Sequence, residues 1–241
     1  MYGSCGRIGL LVPSVNTVVE PETNRMAPEG INVYATRMRN ARCEVEDTKS
    51  MVAHADRGAD ELASAHVDVI AFACTAGSFI EGPAWERNLK KDLGRAAGGI
   101  PVVTTSGAVV SALEQFRVKK LVVATPYPDE VNERERTFLE ACGFEVLKIQ
   151  GMSIWDAFSI GKVDPEETYQ FATQVFKSDA EGLFISCTNF RTIEVIERLE
   201  ETLDVPVVSS NQATFWASLR AMGWEKPMEG YGKLLMDTST D

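Results

Sequence analysis

Two cysteines close two matching apolar runs, VDVIAFACTAG over residues 67–77 and AEGLFISCTNF over residues 180–190. Each run is short and continuously apolar up to the cysteine, the pattern of a parallel strand covered on both faces. Side chains at the carboxyl end of such a strand face the crevice where open α/β sheets bind ligands. Cys74 and Cys187 are each followed by a threonine and read as standing just before a helix start. Backbone N–H groups and the helix dipole there favour the thiolate and lower its pKa. Two thiols opening into one crevice can divide the roles of nucleophile and general acid/base, or pass a proton between the two faces of one carbon. A lone free cysteine is more often a buried packing residue, and the symmetric duplication is what argues against that here. Cys5, Cys43 and Cys142 have no such counterpart and read as structural or surface residues.

The elements that must hold these thiols repeat. Pro13 and Cys74 lie 61 positions apart, and so do Pro126 and Cys187. The stretch IPVVTTS from residue 100 matches VPVVSSN from residue 205. In the first half, strands are expected at 7–12, 31–37 and 100–105, and helices at 44–65, 85–97 and 106–116. In the second, strands are expected at 120–124, 144–149 and 205–209. Helices there are expected at 129–141, from Pro165, at 192–202 and at 213–222, and 155–162 reads as a loop. Strands alternating with helices imply parallel sheets with right-handed crossovers. The fold class is therefore α/β, with two pseudo-symmetric lobes, each a parallel sheet flanked by helices. Residues 1–116 with 211–241 are assigned to one lobe and 117–210 to the other, with the site in the cleft between them.

Beside the cysteine strands, Ser14 and Asn16 end the first strand, and Tyr127 follows Pro126 at the equivalent place. Amides, hydroxyls and exposed backbone N–H groups at these positions can hold a carboxylate or a developing oxyanion. Thr75, Ala76 and Thr188 follow the cysteines and join the candidate binding set.

Bulk properties exclude other classes. A net charge of −11 over 241 residues argues against a nucleic-acid partner. No apolar run approaches a membrane span, and the first residues lack the basic segment and apolar core expected of a signal peptide. Five widely spaced cysteines without a CxxC pair indicate a reduced, cytoplasmic protein. GxGxxG, P-loop, GxSxG and HExxH patterns are missing from the sequence, and no spacing suggests a metal site. His54 and His66 read as surface or packing residues. The chemistry falls to side chains, with no cofactor.

The segment GLLVPSVNT ending at Thr17, the Cys74–Thr75 and Cys187–Thr188 strand ends and the ATPY segment ending at Tyr127 together resemble the aspartate/glutamate racemase superfamily. Within it, the chain is similar to the branch holding maleate cis–trans isomerase, arylmalonate decarboxylase and the ectoine-utilisation protein EutA. The resemblance implies two Rossmann-like lobes, no cofactor and a small anionic carboxylate as substrate. It also implies association into a homodimer or tetramer. By that resemblance Cys74 adds to the double bond of a maleate-like cis-enedioate and Cys187 is the general acid/base. Ser14, Asn16, Thr75, Ala76, Tyr127 and Thr188 then hold the carboxylates. Two departures bear on the substrate. Ala157 stands where the isomerase pattern has a substrate-binding asparagine. The decarboxylase keeps only the second cysteine, whereas this chain has both. A two-thiol racemase of amino acids or 2-substituted acids, with an ectoine-utilisation role included, is the alternative; a decarboxylase or a non-catalytic ligand-binding protein ranks below it.

Overall fold

In the computed structural model, residues 2–40, 42 and 44–237 are described; Cys43 lies outside them. The first half runs β1 (Gly6–Pro13), α1 (Val19–Met26), β2 (Ile31–Met38), α2 (Val45–Val52), α3 (Ala55–Ser64) and β3 (Val69–Phe72). It continues with α4 (Thr75–Phe79), α5 (Pro83–Ala96), β4 (Val102–Thr104) and α6 (Thr105–Gln115). The second half runs β5 (Lys120–Thr125), α7 (Asp129–Ala141), β6 (Glu145–Gly151), α8 (Ala157–Ile160), α9 (Pro165–Val175) and β7 (Gly182–Ile185). It ends with α10 (Ile196–Leu203), β8 (Val207–Ser209), α11 (Ser210–Ala221) and α12 (Lys233–Met236).

The strands form two four-stranded sheets, ordered β2-β1-β3-β4 and β6-β5-β7-β8, and every pairing within them is parallel. The sheets are thus α/β units of one topology used twice. β3 and β7 sit in equivalent inner positions, which is why both are fully buried and uniformly apolar. Successive side chains of a strand point to opposite faces. Leu10, Val12, Val69 and Ala71 accordingly join the large core, which extends through the second sheet to Val123, Phe184 and Ile185. Leu11, Ile70 and Phe72 meet Met51, Ala59 and Leu62 in a smaller core on the other face of the first sheet. Helix α11 packs against α6, α1, β3 and β4 of the first half as well as against β8.

Four local expectations change. The stretch 44–65 is two helices, because Ala53 and His54 close the first with bonds back to Lys49 and Met51, and the redirected α3 still buries Ala55, Ala59 and Leu62. Helix α6 starts at Thr105, one residue before the expected start, and is capped by the Thr104 hydroxyl. The loop 155–162 holds the short helix α8, capped by Asp156 through the Ser159 N–H. No helix follows Cys187 directly: Thr188 and Asn189 form a turn, and α10 begins only at Ile196.

Candidate active site

Cys74 and Cys187, from the carboxyl ends of β3 and β7, line one cavity, whose empty space is about 500 Å3 including its mouth. They reach it differently. Cys74 is the N-cap of α4 in extended conformation, and its Sγ accepts the Gly77 N–H at 3.4 Å. Gly77 permits this approach, since a Cβ there would lie 3.0 Å from the Phe72 ring and 3.2 Å from the Cys74 sulfur. Cys187 has φ +92°, a region that non-glycine residues occupy at a cost of about 1–3 kcal/mol. Its conformation is held from three sides. The Cys187 N–H donates to Ser210 Oγ at 3.0 Å, the Asn189 N–H donates to Cys187 Sγ at 3.4 Å, and the Phe190 N–H donates to the Cys187 carbonyl at 3.2 Å.

Side chains from both halves tie the two cysteine segments together. Thr75 Oγ1 donates to Ser210 Oγ at 2.9 Å, so the hydroxyl that holds the Cys187 backbone also holds the residue after Cys74. Thr188 Oγ1 donates to the Ala73 carbonyl and accepts from Asn16 Nδ2, both at 3.0 Å. Asn16 Oδ1 takes the Val18 and Val19 N–H groups at 2.9 and 3.0 Å, fixing the turn into α1. Of its two amide hydrogens, only one is needed for Thr188. These groups are almost fully buried, and buried polar networks of this kind are rigid when satisfied.

Cys74, Cys187, Asn16, Thr75, Ala76, Tyr127 and Thr188 all border the cavity. Ser14 does not. Its hydroxyl accepts the Asn40 N–H at 3.0 Å and donates to the Asn40 carbonyl at 2.9 Å, so it shapes the loop after β2 instead of facing a ligand. Residues not singled out from the sequence complete the wall: Val15, Val131 and Ile160 are apolar, while Asn40, Arg42 and Asn189 are polar. Asn189 bonds the Thr17 N–H at 2.9 Å and the Ala157 carbonyl at 2.7 Å, bringing α8 to the mouth. Ala157 itself lines the cavity. Nothing local in the sequence marks Asn40 or Arg42; they arrive through the parallel pairing of β2 with β1.

Burial pushes the Cys74 thiol up to about 11, and the Gly77 N–H only partly offsets it. The expected lowering at a helix start is therefore outweighed by desolvation, α4 being only five residues long. Burial also raises the Tyr127 phenol, helped by Cys187, Glu135 and Cys74 nearby, and Tyr127 is hydrogen-bonded to Cys187. The resting site thus holds a protonated Cys74 and a neutral phenol. No cluster of metal ligands occurs among the described residues, and no helix among them is long and apolar enough to cross a membrane.

The same architecture occurs in characterised proteins. The family model for arylmalonate decarboxylase matches residues 8–235. Maleate isomerase of Pseudomonas putida is 30% identical over 244 residues, covering 95% of this chain and 96% of that protein. Arylmalonate decarboxylase of Bordetella bronchiseptica is 30% identical over 236 residues, covering 94% and 95%. Among solved structures, a cysteine-to-serine mutant of Nocardia farcinica maleate cis–trans isomerase with a covalently bound succinylcysteine intermediate superposes with a TM-score of 0.90 at 26% identity. That match covers 96% of this chain and 98% of the other. With its two equivalent sheets and paired strand-end cysteines, the chain belongs to the arylmalonate decarboxylase family, which its similarity extends to the maleate isomerases.

Proposed function

We propose that this protein is a cofactor-independent cis–trans isomerase of a small dicarboxylate, maleate-like to fumarate-like, working through Cys74 and Cys187. The observation that carries the reading is that both sulfurs line one cavity, delivered by the equivalent strands of two sheets. The Cys74 sulfur adds to C2 of the cis-enedioate as its thiol proton passes to a carboxylate of the substrate, and the Cys187 thiol gives its proton to C3. The product is a succinyl thioether with a single C2–C3 bond that rotates freely. Cys187, now a thiolate, takes a proton back from C3, the double bond re-forms in the trans arrangement, and Cys74 leaves and recovers its proton from the substrate carboxyl. Splitting the reaction this way avoids twisting an intact double bond. Asn16, Tyr127, Thr75, Thr188 and the backbone at Ala76 hold the two carboxylates, and Ser14 leaves that set because its hydroxyl is engaged by Asn40. The lobe division, 1–116 with 211–241 against 117–210, belongs to the same reading and is supported by the packing of α11 on α6, β3 and β4. Cytoplasmic location and assembly into a homodimer or tetramer are further parts of it.

Intact-protein mass spectrometry of Cys187→Ser incubated with maleate tests the mechanism. A gain of one maleate that maps to Cys74, together with fumarate formation by the unsubstituted protein, is the expected result. Fumarate formation undiminished in Cys74→Ala would sink the assignment.

A further inference from the structure

Behind the cavity lies a second acid that the addition–elimination sequence does not use. Glu135, on α7, is 1% exposed. Its Oε1 accepts the Ser186 hydroxyl at 2.5 Å, and Ser186 immediately precedes Cys187. Its Oε2 is buried with no partner among the described residues, and the same holds for Ser106 Oγ. Both residues border a narrow void beside Phe79, Phe138 and Phe184 that has no room for a water. Thr75 borders this void and the thiol cavity alike.

A carboxylate so placed would be a buried charge with one hydrogen bond, no counter-ion and no water, which costs several kcal/mol or more. The groups around it do not relieve this. Tyr127, at the end of β5, Cys187, after β7, and Cys74, at the start of α4, are all acids that become more negative on ionising, and Glu135 is close enough to raise Tyr127. From α6 comes the neutral Ser106. On its own helix Arg134 donates to the Ile80 carbonyl at 3.3 Å and Arg136 to the Val146 carbonyl at 2.8 Å. Burial accordingly lifts the Glu135 carboxyl to about 8, against the Ser186 hydrogen bond.

We propose that Glu135 sets the charge of the thiol cavity: as a neutral acid it lets a dianionic dicarboxylate bind beside Cys74 and Cys187, and as a carboxylate it repels that ligand. Like charges brought together at low dielectric repel strongly, and here the fixed charge and the ligand are separated only by the Thr75 and Cys187 segments. Glu135 does not touch the reacting atoms; it determines specificity for anions through the field it does or does not create.

The inference rests on the dicarboxylate reading of the site, so the test measures binding separately from turnover. Succinate, a saturated dicarboxylate that cannot isomerise, is titrated calorimetrically into the full-length protein at pH 7 and pH 9, and KM for maleate is measured at the same values. For a group titrating at about 8 whose protonated form alone binds, affinity falls about 10-fold over that interval. Glu135→Gln keeps the Oε1 acceptor for Ser186; Glu135→Met is the second neutral replacement should the first fold poorly. Either is expected to abolish the fall in affinity between pH 7 and pH 9. A fall that persists in both neutral variants would assign it to the thiols and overturn the proposal, as would loss of succinate binding at pH 7 in a folded Glu135→Gln protein. Succinate binding with the stated pH contrast, but without maleate turnover, would instead discard the isomerase reading and leave Glu135 in its role.

Discussion

The two halves place equivalent residues in unequal surroundings. Cys187 follows Cys74 by 113 positions, and Glu135 follows Glu22 by the same number. Glu22, on α1, is buried, yet its oxygens take the Thr192 N–H at 2.8 Å and the Asn211 amide at 2.6 Å. Among the described residues, Glu135 has Ser186 alone. The pKa values follow, about 7 for Glu22 and about 8 for Glu135, each raised by burial and lowered by its donors. Cys74 is a relaxed cap on a short helix, while Cys187 is held at positive φ in a turn. The two copies of the frame differ as the proposed division of labour requires: one thiol to form a bond to carbon, the other fixed in direction to handle a proton.

The largest effects come from breaking that division of labour. Cys74→Ala removes the atom proposed to bond to substrate, and turnover of maleate is expected to fall on the order of 10^4-fold or more. Cys187→Ser keeps a weaker proton donor in place, with an expected loss of about 10^2- to 10^4-fold, so adduct accumulates on Cys74. Steady-state rates of fumarate formation check both. An equal loss with no adduct in either protein would mean that the cysteines do not divide the roles this way.

The two glutamates sharpen the comparison through pH. A carboxyl whose folded pKa is raised keeps a proton that the unfolded chain has already lost, so the stability it contributes at low pH disappears as pH rises toward the folded pKa. Glu22 acts in this sense from about pH 4.5 to about 7, and Glu135 from about 4.5 to about 8. Glu135→Gln should remove up to about 1.4 kcal/mol per pH unit of that decline, read from urea unfolding at pH 5, 6, 7 and 8. The wild-type and variant curves should diverge through pH 8, in the variant's favour. Parallel curves would show that Glu135 is ionised in the folded protein.

Periodicity reveals the repeated βαβ order because it records burial, and inner parallel strands are buried whichever sheet they belong to. It places β3, β7 and both cysteines correctly for that reason. Equal spacing points to the shared cavity because equal chain lengths between equivalent strands bring equivalent ends to equivalent places. It does not find Asn40 or Arg42, which arrive by strand pairing, or the role of Ser14, whose hydroxyl is captured by a backbone 26 residues away. Nor does a CT dipeptide say whether a helix follows. After Cys74 the chain turns into α4, while after Cys187 Asn189 bonds Thr17 and Ala157 instead, and these long-range partners win over local propensity. The raised pKa of the Cys74 thiol is illegible in the sequence on the same ground, since desolvation is a property of the assembled site.

The smallest predicted effect isolates backbone conformation from chemistry. Alanine and glycine differ by one methyl group, so comparing them at a single position cancels most of the loss of the cysteine side chain. At Cys74, with φ −144° and ψ 110°, alanine should be more stable than glycine by about 0.5–1 kcal/mol, because glycine loses more backbone entropy on folding. At Cys187, with φ +92°, the order should reverse by about 1–2 kcal/mol, since the alanine Cβ meets the steric penalty of the left-handed region and glycine does not. All four proteins lack one of the two thiols that addition and elimination require, so urea midpoints at unchanged m-value, rather than rates, carry the measurement. The same sign at both positions would mean that Cys187 is not strained, and the directional fixing of its sulfur would then have to come from the Ser210 and Asn189 hydrogen bonds alone.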